Sequence, residues 1–245
     1  MVNVDTVYQR VLALANKEQR GYITPQEFNL IDNQAQMDIF EQYFYDLNQF
    51  LRMPGNDTTH ADMVSMLEEK ISVFEKAGVI QASTQAGLYG EDEQIFDLNS
   101  NISDLYRITN VRTYRNLNWK ILERVSQKEL RAMMLGPLTK VTPNRPVYTM
   151  NTDGILKAFH DVDAVTIDYI KKPTPVNWTY IVVGDVALVN PDPTVGYQDF
   201  ELHPSEEADL VVKILGLAGI TLKDPNLYQI ASSEDSKNIQ QEKQQ

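Results

Sequence analysis

Residues 21–55, GYITPQEFNLIDNQAQMDIFEQYFYDLNQFLRMPG, constrain what this chain can fold into more than any other stretch. Thr24 and Glu27 make a capping box with Pro25 at the first helical position, which satisfies two orphan amides and pre-sets the helix start. Met53-Pro54-Gly55 ends the helix after about seven or eight turns. One apolar stripe runs Leu30, Met37, Phe40, Phe44, Leu47, Leu51, and a second, rotated from it, runs Phe28, Ile31, Ala35, Ile39, Tyr43, Phe50. Both stripes need cover, so the helix is expected to be enclosed by other elements. The rest of its surface carries Gln34, Gln36, Gln42, Asn48 and Gln49, which form neutral hydrogen bonds across packed surfaces. That composition suits a helix packed between neighbouring subunits.

Around this helix the chain reads as α+β. Asp5 is placed to cap a first helix with Val7, Tyr8, Val11, Leu12 and Ala15 on its apolar face, and Gly21 follows it. Asp57 or Thr58 opens a third helix, with Met63, Leu67, Ile71 and Phe74 on one face and Gly78 as the C′ residue. Residues 1–80 are thus expected to be a three-helix unit, with Met53, Met63 and Met66 as core filler. From about Gln94 short β-type runs take over, at 105–114 and 118–125, interrupted by a helical stretch at 126–135 that stops at Gly136-Pro137. Residues 163–170 alternate cleanly, with Val165, Ile167 and Tyr169 on one face and Thr166 and Asp168 on the other. Residues 180–183 and 186–189 flank Gly184-Asp185, a two-residue hairpin signal, framed by Lys171-Lys172-Pro173-Thr174-Pro175 and Pro191-Asp192-Pro193. A last helix starts near Ser205, buries Leu210, Val211, Ile214, Leu215 and Ala218, and ends at Gly219. The expected organisation is a helical unit at 1–80, a small antiparallel β-rich unit at 81–200, a C-terminal helix at 201–223, and an extended polar tail at 224–245 that orders on assembly.

Composition narrows the chemistry. With no cysteine there is no disulfide framework, thiolate metal site or thiol nucleophile. The three histidines, His60, His160 and His203, are far apart and in no metal-ligand spacing, so neither a metal nor a cofactor is expected. No basic start leads into an apolar run, and no stretch approaches the roughly eighteen apolar residues of a membrane span, so cytoplasmic synthesis without a membrane partner is expected. A net charge of −12 argues against wrapping nucleic acid.

That charge is uneven: residues 1–80 carry 12 acidic and 6 basic side chains, 81–200 carry 14 and 12, and 201–245 carry 8 and 4. Arg107, Arg112, Arg115, Lys120, Arg124, Lys128 and Arg131 form the basic concentration. They read as a solvated or partner-facing strand surface, with phosphate contact as the alternative.

The familiar site motifs fail on their own chemistry. Aligning Asn151-Thr152-Asp153-Gly154 with an EF-hand loop puts Thr149 at the first ligand position and His160 at the twelfth, so it reads as a turn before a strand. Gly87-Leu88-Tyr89-Gly90 lacks the spacing and the following Lys-Ser/Thr of a phosphate loop. His160 lies near Asp161 and Asp163, yet no serine stands in a nucleophile-elbow context. No catalytic residue is assigned.

Three segments carry a family resemblance: GYITPQEFN with NQAQMDIFEQYFYDLNQFLR, Asp168-Tyr169-Ile170-Lys171-Lys172-Pro173 with Trp178 shortly after, and FELHPSEEADLVVKILGLAGI. Together they resemble virion structural proteins of short-tailed, crAss-like or marine tailed bacteriophages. The resemblance implies a non-enzymatic head-to-tail connector, a ring or adaptor protein beneath the portal at the head-tail junction, usually in twelve copies. Its implied partners are further copies of itself, the portal protein, a downstream tail or nozzle protein, and DNA that passes through the channel during genome ejection without specific binding. On this reading the helices at 1–80 and 205–219 form the ring wall and the β unit meets the next tail component. Phe40, Tyr43, Phe44 and Phe50 serve as oligomer interface or core. Arg107, Arg112, Arg115, Arg124 and Arg131 are candidate partner or phosphate contacts, and Leu227, Tyr228 and Ile230 belong to a portal-docking tail. The alternatives are another tail or minor capsid structural protein, or a phage nucleic-acid-binding factor using the basic run 107–131.

Overall fold

The computed structural model describes residues 1–16, 23–52, 58–83, 93–115, 118–151, 153–159, 162–184 and 186–221, with Ser233, Ser236 and Lys237. Helices α1 (Val4–Asn16), α2 (Pro25–Arg52) and α3 (Thr58–Ser72) come first, followed by strands β1 (Glu75–Gln81) and β2 (Glu93–Asp97). The one-turn helix α4 (Leu98–Asn101) leads into β3 (Leu105–Arg115), β4 (Asn118–Ile121), β5 (Glu123–Arg124) and helix α5 (Gln127–Leu135). Strands β6 (Val147–Met150), β7 (Ile155–Phe159), β8 (Ala164–Lys171), β9 (Tyr180–Val183) and β10 (Val186–Val189) precede helix α6 (Glu207–Thr221). The class is α+β, as the patterning predicts.

The chain divides into two compact units, one formed by residues 74–172 and the other by 1–73 with 173–245. The units divide at 73/74 and 172/173 where the expected boundaries are 80 and 200, and the expected boundary at 223 lies outside the described residues. The β unit starts earlier and stops sooner, and the β9–β10 hairpin belongs with the helices.

The helical unit is held by α2. Its capping box forms as predicted: the Glu27 amide donates to Thr24 Oγ1 (3.3 Å) and the Thr24 amide donates to Glu27 Oε2 (3.0 Å). Phe28, Ala35, Ile39, Phe40 and Tyr43 are buried, and α1 and α3 bury Val4, Val7, Tyr8, Val11, Leu67 and Ile71. The α6 face of Leu210, Val211, Ile214, Leu215 and Ala218 is buried as expected, although the helix runs past Gly219 to Thr221. The cap of α1 is Asn3, whose Oδ1 accepts from the Thr6 amide (2.9 Å). Asp5 lies in the first turn instead, and its Oδ1 accepts from Trp178 Nε1 (3.0 Å). Trp178 is buried beside Tyr8, their ring centroids 4.2 Å apart.

The polar residues of α2 explain why residues beyond 172 return to the helices. Asn29 and the Trp178 backbone exchange two hydrogen bonds (3.2 and 2.9 Å). Asn33 does the same with the Val176 backbone (2.9 and 2.8 Å). Gln36 Nε2 donates to the Thr174 carbonyl (2.9 Å) and its Oε1 accepts from the Glu201 amide (3.1 Å). The four-residue step from Asn29 to Asn33 rises about 6 Å, close to the roughly 6.6 Å spanned by two extended residues. One helix face thereby serves the alternate peptide groups of an extended strand as a neighbouring strand would. Gln36, expected to face another subunit, is used within the chain, and Gln42 Oε1 likewise accepts from Lys213 Nζ (2.9 Å).

The β unit is a two-sheet sandwich with a helix on one outer face. One sheet has the order β1-β8-β3-β4 and the other β2-β7-β6-β5. Val165, Ile167 and Tyr169 from the first meet Phe96, Tyr148, Leu156 and Ala158 from the second in one apolar cluster. The far side of the second sheet supplies Val147 and Phe159 to a smaller cluster closed by Leu130 of α5. That helix starts at a capping box of Ser126 and Glu129 and stops at Gly136, as the 126–135 pattern predicts.

Three expectations are corrected in this unit. Gly78 does not terminate α3, which ends at Ser72; it lies within β1 opposite Ile167, packed near Ile102 and Tyr169. The 118–125 run is split, because buried Leu122 separates β4 in one sheet from β5 in the other. The unit is also not wholly antiparallel, since β5 pairs with β6 in parallel. Asn151 and Gly154, the latter at φ 70°, turn the chain from β6 into β7, as expected for that motif.

Candidate assembly surfaces

The aromatic residues expected at an interface or core separate by depth. Phe40 and Tyr43 are buried in the helical unit, while Phe44 and Phe50 are half-buried. Phe44 packs edge-on to Phe40 with ring centroids 5.1 Å apart. Lys70 Nζ lies 5.7 Å from the Tyr43 ring and pairs with the buried Glu206 carboxylate at 2.7 Å. Two methionine expectations end differently: Met63 is half-buried, whereas Met66 is exposed rather than core filler. Leu30, at the outer end of its stripe, is 75 % exposed, and Tyr45 and Leu51 are exposed as well. The outer side of α2 is therefore open within one chain.

Among the described residues the β9–β10 hairpin is an apolar and open element. Its strands pair only with each other among the described residues, with Ile181 opposite Leu188 and Val182 opposite Ala187. Opposed residues share a face and alternate along the strand, so the two faces carry different pairs. Ile181, Val182, Val183 and Leu188 are all about half exposed or more, which leaves apolar side chains open on both faces. Gly184 supplies the turn at φ 58°, in the left-handed region that glycine adopts readily. The stretch YIVV-Gly-Asp-VALV carries one charge, and its lack of alternation is the sequence signal for a ribbon with no solvent face.

The arginines do not converge. Arg112 is half-buried on the outer face of the β1-β8-β3-β4 sheet, where it pairs with Asp168 at 2.9 Å and lies over the Trp119 ring at 5.1 Å. Tyr114 packs on the same ring with centroids 5.1 Å apart. Arg124 is exposed at the edge of the other sheet, and Arg131 is exposed on α5, across the sandwich from Arg112. Arg107 is exposed on β3, and the Arg115 side chain lies outside the described residues, as do Leu227, Tyr228, Ile230, His160 and the Gly87-Leu88-Tyr89-Gly90 loop. A single phosphate-binding stripe is not what these positions make.

An open cleft of ≈ 400 Å³ lies on the β1–β8–β3 side, lined by Glu75, Lys76, Ala77, Thr109, Asp168 and Tyr169. Beside it Lys76 Nζ pairs with Asp104 Oδ2 (2.7 Å), and the Tyr169 hydroxyl donates to Asp104 Oδ1 (3.1 Å). The hydrogen bond from Lys76 holds the Asp104 carboxyl below its usual range, while burial raises the Tyr169 phenol. Of the polar groups lining the cleft, Lys76, Asp168 and Tyr169 are each engaged by a neighbouring side chain. His203 is similarly occupied: its Nδ1 accepts from the Ser205 amide (3.3 Å) at the start of the 3₁₀ turn Pro204–Glu206. Among the described residues no cluster of three or more His, Asp or Glu side chains is arranged to hold a metal ion.

No family model matches the chain, and no curated protein matches it.

Proposed function

We propose that the chain is a non-enzymatic virion structural protein, a head-to-tail connector ring or adaptor between portal and tail that contributes to the DNA channel of a tailed bacteriophage. The observation that carries this reading is the β9–β10 hairpin, an almost uncharged ribbon whose faces and outer strand edges are open among the described residues. A two-stranded hairpin is marginal by itself in water, and an open apolar edge is a template for pairing with another chain. Such an element has a physical rationale when a partner covers it, as neighbouring subunits of a ring or a docked portal do. The exposed Leu30, Tyr45 and Leu51 on α2 support the same reading, as does the three-segment resemblance to phage virion proteins.

Light scattering on the purified chain, alone and with the portal protein of the same genome, tests it. A ring-sized species, or a monomer recruited by the portal in multiples, is expected. Val182→Asp with Leu188→Asp is expected to abolish that association while leaving the far-ultraviolet spectrum unchanged. A monomer indifferent to the portal would exclude the connector role and direct the search to another tail or minor capsid position. Retention on DNA that weakens steeply with salt would favour the nucleic-acid reading instead.

A further inference from the structure

The two units differ sharply in charge. Residues 74–172 contain 13 Lys and Arg against 12 Asp and Glu, a net of +1, whereas the helical unit contains 9 against 22, a net of −13. Nearly all the negative charge of the chain thus belongs to one unit, and a contact between unlike units of two copies is favoured over a contact between two helical units.

Two helices carry matching halves of such a contact. On α2, Asp38, Glu41 and Tyr45 are exposed, Tyr45 at 66 %. On α5, Lys128, Arg131 and Leu135 are exposed, Leu135 at 87 %. Both triplets follow the spacing i, i+3, i+7, which places three side chains in one line along a helix. Among the described residues none of the four charged side chains has an ion-pair partner. Set side by side in parallel, the helices bring Asp38 to Lys128, Glu41 to Arg131 and Tyr45 to Leu135: two unlike charges, then two apolar groups. A parallel pair of equal spacing meets position by position, so a single register satisfies all three layers.

We infer that α2 of one copy docks in parallel against α5 of a second copy, through these six side chains. The inference rests on the ring reading above and specifies one of its interfaces. The contact joins two different surfaces of the chain, so it propagates head to tail and closes into a ring where the rotation allows, or closes on itself as a reciprocal two-fold dimer.

Charge exchange tests it with the full-length protein. Asp38→Lys with Glu41→Lys makes both surfaces of one variant basic, and Lys128→Glu with Arg131→Glu makes both surfaces of another acidic. Each variant alone is expected to associate at least tenfold more weakly than the native chain, since like charges then face each other. An equimolar mixture is expected to recover native association as an alternating assembly, because every α2 then meets an α5 of opposite sign. Sedimentation velocity on each variant and on the mixture reads the result, and circular dichroism confirms that the exposed substitutions leave the fold intact. Tyr45→Ser, which introduces no charge, is expected to weaken association without altering its salt dependence. If the native chain forms rings and the variants do too, or if the mixture stays dissociated, this interface is wrong and the ring reading survives. If the native chain is monomeric at every concentration, the pairing is also wrong, and the connector reading then depends on recruitment by the portal.

Discussion

Asp32 is a carboxyl group in a place that disfavours charge. It is fully buried on α2; Oδ1 accepts from Asn33 Nδ2 (3.1 Å), and Oδ2 has no hydrogen-bond partner among the described residues. Burial pushes its pKa from 3.8 up to about 8. Because the folded value is raised, the native state keeps a proton that the unfolded chain has released. The associated stability is complete below about pH 3.8 and is lost as pH rises toward 8. Asp32→Asn, which is neutral throughout, should therefore raise stability at pH 8 by on the order of 4 kcal/mol and flatten the slope between pH 4 and 8. Urea unfolding of both proteins at pH 5 and pH 8 measures this, and an unchanged slope would mean that the carboxyl is ionised at neutral pH. Next to it, Asn33 gives the opposite expectation. Asn33→Ala strips the partners from the buried Val176 backbone and should cost about 2 kcal/mol, whereas Asn48→Ala, at an exposed site, should cost almost nothing. Neither role was legible in the sequence, where Asn33 is one more polar residue on a helix and Asp32 one more surface acid. The role of Asn33 comes from the 174–178 segment that it hydrogen-bonds, and that of Asp32 from its burial in the folded unit.

At the scale of elements, the structure separates signals that are local from signals that depend on what packs nearby. The Thr24–Glu27 box, the alternation of Val165, Ile167 and Tyr169, the Gly184 turn and the apolar face of α6 are set by adjacent residues, and each is where the sequence places it. Gly78 shows the other case. A glycine some residues after an amphipathic helix reads as a helix stop, yet it sits in β1, its φ not among the positive values of Gly154, Gly184 and Gly196. A Cβ there would meet Ile102 Cδ1 at 3.5 Å and a Tyr169 ring carbon at 3.7 Å, which is ordinary contact. Gly78→Ala should accordingly be neutral or stabilise by roughly 0.5 kcal/mol, chiefly by restricting the unfolded chain. A left-handed C′ glycine would instead lose about 1 kcal/mol on the same change. Thermal unfolding distinguishes the two signs. The open hairpin was legible as a hairpin but not as a surface, because a continuous apolar run also describes a strand buried on both faces.

In the whole molecule, the sequence of the β unit interrupts that of the helical unit. The Lys171 amide donates to the Phe74 carbonyl (2.8 Å), and β1 and β8 lie antiparallel with Glu75 opposite Ile170. The two ends of the β unit are therefore adjacent strand positions in one sheet. Linear composition hides this arrangement: the Pro173-Thr174-Pro175 run looks like the frame of the next hairpin, whereas it marks the return to the helices, where Gln36 and Asn33 receive it. A segment whose ends meet and which has its own apolar clusters is separable. The fragment 74–172 should thus fold alone, with native-like circular dichroism and a single cooperative urea transition. The reciprocal deletion, in which a short glycine-serine linker joins Val73 to Pro173, should keep the buried Trp178 environment, read by its fluorescence, because Asp5, Tyr8 and Asn29 all belong to the unit that remains. Only the intact chain then combines an acidic helical surface with a basic α5, so on the proposed pairing neither half should self-associate. If the fragment is unfolded, the β unit depends on the rest of the chain for its stability.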